Sequence, residues 1–227
     1  MALTSNMGLG ERAIRSAVRS WLLRTAEPGD LVRDELAVRS ARVDLARIGS
    51  RLEGVEIKSD FDNLHRLPRQ VEAFSALFDT MTLVVGERFP HDVFGVVPRW
   101  WGIKTASLGS DGAARLRTLR AEAQNPNQSM EALAQQLWRA EAVNALQVLA
   151  DVRAVKSWTS RQVQERLVAS VPIEALHRFV VERLRDPSRL DAWLDLRANE
   201  ARTKQRLSSF LRAAEPMPAQ SGRNSMR

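Results

Sequence analysis

Apolar and polar positions alternate along three stretches in the first half of the chain, a pattern that predicts β-strands. The three stretches are Leu31–Val38, 42–46 and 55–58. A helical period precedes them over Glu11–Arg24, where the apolar residues recur on one face. The chain is therefore expected to begin with an amphipathic helix that packs on a sheet.

Further elements follow in an order that indicates an α/β fold. A helix is expected from Leu67, with Val71, Phe74 and Phe78 completing its apolar stripe. The apolar run at 81–85 reads as a buried strand, 89–97 as a short helix, and 100–106 as a last strand. Helices that alternate with strands in this way predict a mixed sheet flanked by helices.

The second half of the chain has a different pattern. Residues 109–130, which include GSDGAA and NPNQSM, predict a connector of broken helical character. Helical periods then cover 131–152, 160–169, 172–185 and 188–213, and Thr159 with Gln162 forms a candidate capping box. We therefore expect an α/β core over 1–108, the connector, an all-helical region over 131–213 and a disordered tail over 214–227.

The spacing between two of the strands places two carboxylates together. A two-residue turn at Gly49 would send Asp44 and Glu56 to opposite faces of the sheet, whereas a three-residue loop over 49–51 pairs them directly. With that loop Asp44, Glu56 and Lys58 share one face, and Val43, Leu45, Val55 and Ile57 are expected to form a core on the other.

Paired carboxylates suggest metal chemistry. Two carboxylates that face each other on a sheet repel unless a cation lies between them. Mg²⁺ takes oxygen ligands from one or two carboxylates, from water and from substrate phosphate. Asp44 and Glu56 are therefore candidate ligands for Mg²⁺, or for Mn²⁺, and Lys58 is a candidate to stabilise charge that develops on a phosphodiester.

Composition adds to this hypothesis. The chain has 34 Lys and Arg residues, of which only four are Lys, which suggests that Lys persists where a compact ammonium is needed. About half an acidic-x-Lys triplet is expected by chance, so the triplet alone is weak, and its place on a predicted strand between an Asp-bearing strand and a Gln-bearing helix strengthens it. The net charge is +7, and most of the surplus lies beyond residue 108. A polyanionic partner is consistent with this charge, but a genome-wide bias toward Arg would give the same value.

Several classes of protein are excluded by the sequence. The chain has no Cys, which excludes disulfides, and its three scattered His argue against a zinc site. It has no apolar run of about 18 residues that would span a membrane. Because Arg residues interrupt the apolar part of the N-terminus, it does not read as a signal peptide, and a cytoplasmic bacterial protein is expected.

The candidate residues resemble a known nuclease pattern. Asp44 followed by Glu56-Ile57-Lys58 resembles the PD-(D/E)XK nuclease superfamily, and Gln70-Val71-Glu72-Ala73-Phe74 resembles the QxxxY motif of its RecB-like branch. The string EIKSDFDNLHRLPRQVEAFSALFD also resembles an uncharacterised family of small bacterial proteins assigned to that superfamily. The resemblance covers roughly residues 10 to 106, with Val43 in place of the motif's Pro and Phe74 in place of its Tyr.

This resemblance implies a restriction-endonuclease-like core and a Mg²⁺-dependent nuclease. Asp44 and Glu56 would be metal ligands and Lys58 the catalytic lysine, while Glu35 would match an additional acidic ligand and Gln70 the glutamine on a helix. DNA is the expected substrate, and the cleavage would serve DNA repair or defence. A solvent-exposed Glu35 and an ordinary surface Gln70 are the alternatives for the last two residues.

The C-terminal helices suggest a second point of contact with nucleic acid. Five basic residues cluster on the last predicted helix: Arg197, Arg202, Lys204, Arg206 and Arg212. They are candidates to follow a phosphate backbone, although a solvated helix face has the same composition. The helical region also allows a homodimer or a protein partner.

Two other functions stay open beside hydrolysis. One is a catalytically inactive nucleic-acid-binding or adaptor protein that retains the nuclease fold, and the other is a structural protein that docks a partner. A nuclease and a binder differ in their dependence on metal, and a docking protein would have no affinity for nucleic acid.

Overall fold

Six strands form one mixed sheet in which each strand lies beside its neighbours in sequence. The computed structural model describes residues 9–89, 91–153 and 157–189. The strands are β1 (Leu31–Val38), β2 (Ala41–Ile48), β3 (Leu52–Lys58), β4 (Thr80–Gly86), β5 (Gly102–Leu108) and β6 (Ala114–Arg120). Strands β1 to β3 are antiparallel, β3 to β5 are parallel, and β6 is antiparallel to β5. The expected α/β class with a mixed sheet is confirmed.

Helices cover both faces of this sheet. They are α1 (Glu11–Arg24), α2 (Leu67–Ser75), α3 (Met130–Ala134), α4 (Arg139–Ala150), α5 (Ser160–Ser170) and α6 (Ile173–Arg185). The apolar stripe of α1 packs with one face of β3 in the smaller core. The larger core joins α2 and the helices α3 to α6 to the other face. The second-half helices therefore share the core of the sheet, and one compact unit extends to Arg185.

The β2–β3 hairpin has the predicted register. Residues 49–51 form its loop, closed by a hydrogen bond from Gly49 N to Arg51 O at 3.0 Å, and Leu45 pairs with Val55. Continued by one residue, the same register would place Asp44 opposite Glu56, although the paired residues end at Leu45 and Val55. The odd-length loop therefore brings the two carboxylates to the same region of the sheet, as the alternation of the strands required.

The predicted connector contains a strand, so its broken helical character was wrong. Strand β6 runs over Ala114–Arg120 as an edge strand of the sheet. It follows a turn at Gly112, whose φ of 78° favours glycine. Arg, Leu and Ala, which make up most of β6, are good helix formers. As an exposed edge strand, β6 buries few side chains, so its sequence shows no clear alternation of apolar and polar residues.

Two other local predictions were also wrong. Residues 91–96 form successive turns instead of a short helix, in a segment interrupted by Gly95 and closed by Pro98. The helix predicted over 131–152 is divided into α3 and α4 around residues 135–138. In contrast, the capping box at Thr159 is confirmed, because its Oγ1 accepts from Gln162 N while the Gln162 side chain accepts from Thr159 N.

The apolar residues of the hairpin do not form one common core, which corrects a further prediction. Leu45, Val55 and Ile57 pack in the smaller core under α1, whereas Val43 packs in the larger core with α2. The alternation changes beside Glu35, whose φ is 58° within β1. A left-handed residue in a strand turns the following side chains toward the other face, and simple alternation cannot predict it.

The second compact unit comprises Asp186–Arg227, of which the structure describes only residues 186–189. Most of the predicted last helix, the predicted tail and the five basic candidates from Arg197 to Arg212 therefore lie outside the described residues. Among the described residues, no helix has both the length and the apolar character needed to cross a membrane.

Candidate active site

A cleft opens where the β2–β3 ladder stops. The last backbone pair of the hairpin is Leu45 with Val55, and beyond it Asp44 Oδ2 accepts a hydrogen bond from Ile57 N at 2.7 Å. The Asp44 carboxylate therefore accepts from a backbone N–H that would pair with β2 if the β2–β3 ladder were longer. Strand β3 continues to pair with β4 as far as Lys58. The strands separate at this point.

The cleft has a volume of about 630 Å³, and its lining is mostly charged. All five predicted catalytic residues line it, so the tertiary structure brings them together. The lining residues are Glu11, Glu35, Ser40, Ala41, Arg42, Asp44, Glu56, Ile57, Lys58, Asp62, Arg66, Arg69 and Gln70.

Lys58, Glu56 and Gln70 form a closed set of hydrogen bonds. Lys58 Nζ donates to Glu56 Oε1 at 2.7 Å and to Gln70 Oε1 at 2.9 Å, while Gln70 Nε2 donates to Glu56 Oε1 at 2.5 Å. Glu56 and Lys58 share a face of β3 because they are two residues apart, and the first turn of α2 brings Gln70 above them. The network fixes the ammonium group at the base of the cleft.

One oxygen of this network has no partner. Both charged side chains are almost fully buried, with exposed fractions of 3% for Glu56 and 5% for Lys58, yet Glu56 Oε2 has no hydrogen-bond partner. Burial, followed by the negative charge of Asp44, raises the pKa of Glu56 to about 7. The charge of Lys58 and the hydrogen bonds from Lys58 and Gln70 act against this rise, but burial and Asp44 outweigh them.

Arg15 of α1 supplies the counter-charge for Asp44. Its Nη2 lies 2.6 Å from Asp44 Oδ1 and 2.6 Å from Glu11 Oε1, and its Nη1 donates to the backbone oxygen of Asp44 at 2.9 Å. Burial raises the pKa of Asp44, although the hydrogen bond from Ile57 N and the charge of Arg15 act against this rise. Sequence analysis missed Arg15, and its only signal is the i,i+4 spacing from Glu11 on the polar face of α1.

Glu35 reaches the same cleft through an unusual backbone conformation. The register of β1 with β2 places it opposite Asp44, but its φ of 58° interrupts the ladder. Its Oε1 lies 3.6 Å from Arg15 Nη2, and about a third of its side chain is exposed. A non-glycine residue in the left-handed region costs roughly 1 kcal/mol.

The two central carboxylates fit a divalent cation shared with a substrate. Among the described residues, no group of three His, Asp or Glu side chains is placed to hold a metal ion by itself. Glu56 Oε2 is nevertheless a buried acceptor without a partner, and the nearby Asp44 raises its pKa. Mg²⁺ is commonly bound by one or two carboxylates, with substrate phosphate and water as its other ligands.

A second, partly buried polar pair lies outside the cleft. His177 Nε2 of α6 lies 2.8 Å from Asp79 Oδ2, and the same oxygen accepts from Leu52 N at 2.7 Å. Gln128 Nε2 donates to the other oxygen at 3.0 Å. Burial alone would raise the pKa of Asp79, but these hydrogen bonds lower it below its ordinary value. The pair ties α6 to the sheet, and periodicity could not reveal it because 98 residues separate its members.

Comparison with known proteins corrects the resemblance drawn from the motifs. A family model described as "Bacteriophage P4 protein cII" matches residues 5–210 of the chain. The chain is also 35% identical over 88 residues to "Protein cII" of Enterobacteria phage P4, a match that covers 37% of this chain and 33% of that protein. The assignment to the PD-(D/E)XK superfamily and its RecB-like branch was therefore wrong. No solved structure gives a significant match.

Proposed function

We propose that the cleft of this chain, which belongs to the bacteriophage P4 protein cII family, hydrolyses phosphodiester bonds of nucleic acid with a divalent cation. DNA is the proposed substrate, and Mg²⁺ or Mn²⁺ the proposed cation. The match with the phage protein spans only a third of that protein's length, so the proposal comes from the cleft and not from the relative. One observation supports it above all: a buried Lys58 is paired with Glu56, whose second oxygen has no partner.

The two carboxylates would hold the cation. Glu56 offers its unpartnered oxygen, Asp44 is the second candidate ligand, and Glu35 borders the same cleft. When bound there, a divalent cation would polarise a phosphate and lower the pKa of a water. Asp44 would have to exchange its contact with Arg15 for this role, because Arg15 Nη2 lies 2.6 Å from Asp44 Oδ1.

Lys58 would act directly on the reacting groups, and Gln70 would position it. The Lys58 ammonium is held by two acceptors and has a third proton for a phosphate oxygen. A charge fixed in a partly buried cleft stabilises developing negative charge without reorganising at the moment of reaction. The Gln70 amide keeps Lys58 and Glu56 in place, so its main effect would be to position these two groups.

A cleavage assay tests the proposal. Supercoiled, linear and single-stranded DNA are incubated with the purified chain in Mg²⁺, Mn²⁺ or EDTA. Lys58→Met and Glu56→Gln should abolish metal-dependent cutting. Lys104→Met is the matched control, because Lys104 is another buried lysine and donates to Thr118 Oγ1 outside the cleft.

The outcomes are distinct. Cutting that survives Lys104→Met and is lost in Lys58→Met supports the hydrolase. If the folded wild-type chain cuts none of the three substrates with either metal, hydrolysis of DNA is rejected.

A second candidate is binding without cleavage, and the contact between Arg15 and Asp44 favours it. A guanidinium already neutralises Asp44, as a cation would. A protein of this kind would bind nucleic acid equally well in EDTA and in Mg²⁺ and would leave the strand intact. The same samples, analysed for binding by gel retardation, separate it from the hydrolase.

A further inference from the structure

An exposed aromatic residue lies in the turn next to a residue that lines the cleft. Phe61 has 74% of its surface exposed, more than the other exposed large hydrophobic residues among those described. It lies in the turn between β3 and α2, one residue before Asp62, which lines the cleft. The ring is therefore presented to solvent from a turn that follows β3, the strand that carries Glu56 and Lys58.

The turn that carries Phe61 is held firmly on both sides. Asp62 Oδ2 accepts from Ser59 N at 2.8 Å and from Ser59 Oγ at 2.6 Å, which closes the turn. Asp60 accepts from Leu9 N at 2.8 Å and from Arg88 N at 2.9 Å, which anchors it to two other segments. These hydrogen bonds fix the backbone of the turn, so Phe61 is exposed on a segment with a defined conformation.

Two arginines that follow Phe61 in the sequence line the cleft. Arg66 and Arg69 are exposed, line the cleft and lie three residues apart at the start of α2, so they share a face of that helix. Gln70, in the same turn, contacts Lys58. Arg66 and Arg69 therefore add positive charge at the start of α2, in a cleft whose lining also includes Arg42 and the carboxylates of Glu35 and Asp44.

From this arrangement we infer that the cleft takes an unpaired strand of nucleic acid, with phosphates on Arg66 and Arg69 and one base stacked on Phe61. The inference deepens the proposed function and rests on it. Arginines bind the phosphate backbone independently of sequence, and an aromatic ring stacks on any base. A base inside a duplex has both faces covered by its neighbours, so only an unpaired base has a free face for Phe61.

Binding measurements test this inference without cleavage. Fluorescence anisotropy is followed for a labelled oligothymidylate, an oligouridylate and a DNA duplex, each titrated with the full chain in EDTA or Ca²⁺. The variants are Phe61→Ala, Phe61→Trp and the double substitution Arg66→Gln with Arg69→Gln. The controls are Phe94→Ala, another exposed aromatic, and the double substitution Arg117→Gln with Arg166→Gln, two exposed arginines that do not line the cleft.

The inference predicts a specific pattern. Wild type should bind both single strands more tightly than the duplex, and Phe61→Ala should weaken single-strand binding by about tenfold while Phe61→Trp retains it. Loss of Arg66 and Arg69 should make the slope of log K against log salt shallower by about 1.4, since each phosphate contact contributes about 0.7 on a single strand. The control variants should leave both quantities unchanged.

Failure of this inference can be told apart from failure of the hydrolase. Equal affinity for strand and duplex, or equal effects of Phe61→Ala and Phe94→Ala, would overturn the inference while leaving hydrolysis open. Strand binding that depends on Phe61, together with no cleavage, would overturn hydrolysis and keep the inferred strand site.

Discussion

Lys58 Nζ lies 2.7 Å from Glu56 Oε1 in a setting where both side chains are almost completely buried. A buried ion pair costs desolvation energy and becomes strongly unfavourable when one partner is removed. Here the pair is incomplete even with both members present, because Glu56 Oε2 has no partner. The missing partner makes the pKa of Glu56 sensitive to each charge around it.

Removal of Lys58 should raise the pKa of Glu56 further. In the native chain the charge of Lys58 and its hydrogen bond oppose the rise caused by burial and by Asp44. We therefore expect Lys58→Met to move the pKa of Glu56 above its value of about 7. Carbon NMR of labelled glutamate carboxyls measures this value, and a pKa that stays the same or falls would contradict the pairing.

Glu56→Gln should flatten the dependence of stability on pH in the metal-free chain. The pKa of Glu56 is raised to about 7, so the folded chain retains a proton that the unfolded chain has already released. The free energy of unfolding therefore decreases as pH rises from the ordinary Glu pKa to about 7. Glu56→Gln cannot release this proton, so its melting temperature in EDTA should stay level from about pH 5 to pH 8, at a lower overall value because Lys58 loses its buried carboxylate partner.

The same variant should lose its response to metal. Mg²⁺ competes with the proton for Glu56, so stabilisation of the wild type by Mg²⁺ should grow as pH rises through about 7. Calorimetry of both proteins at pH 6 and pH 8, with and without Mg²⁺, gives the comparison. An equal rise in melting temperature for Glu56→Gln would exclude Glu56 as a ligand.

Arg15→Gln should destabilise the metal-free chain and make it more responsive to metal. Without the guanidinium, Asp44 loses the cation that lies 2.6 Å from its Oδ1. We expect the melting temperature to fall by roughly 3 °C in EDTA and to recover partly in Mg²⁺, which can then reach Asp44 without displacing Arg15. Arg19→Gln is the control, because it removes a more exposed pair with Asp34. If Mg²⁺ restores neither variant, the cation site at Asp44 is not supported.

Asp79→Asn should weaken the link between α6 and the sheet. The substitution removes the charge that accepts hydrogen bonds from Leu52 N and His177, at a cost of about 2 kcal/mol, or roughly 6 °C in melting temperature. Since the pKa of Asp79 is lowered, this stability is fully present above the ordinary Asp pKa and is lost as pH falls below it. The difference between wild type and variant should thus shrink below about pH 4.

A matched control for this prediction is Asp111→Asn. The pKa of Asp111 is also lowered, chiefly by the hydrogen bond from Ala113 N, but the residue is exposed and pairs with Arg115 at 2.6 Å. Solvent screens such a pair, so little change in stability is expected. An equal loss in both variants would show that the Asp79 contacts are not specifically stabilising.

Part of the candidate site could be predicted because it depends on short-range periodicity. Alternation along β3 places Glu56 and Lys58 on one face, and the loop over 49–51 sets the register that brings Asp44 toward Glu56. The start of α2 near Leu67 brings Gln70 close to the end of β3. Each of these relationships involves residues fewer than 30 apart, joined by one turn or one loop.

The family could not be obtained from the same motifs. An acidic residue, a Glu-x-Lys and a Gln at these spacings describe a local arrangement of charge, and different families can share such an arrangement. The match with the cII family extends over residues 5–210 and includes helices about which the motifs contain no information.

The sequence by itself determined the local elements and the register of the hairpin, because side-chain period and loop length are properties of neighbouring residues. Only the tertiary structure decided that Arg15 neutralises Asp44 from 29 residues away and that His177 pairs with Asp79 across 98 residues. Contacts of this length depend on how α1 and α6 pack against the sheet, and that packing depends on the apolar surface of the whole fold. No local pattern of charge specifies it.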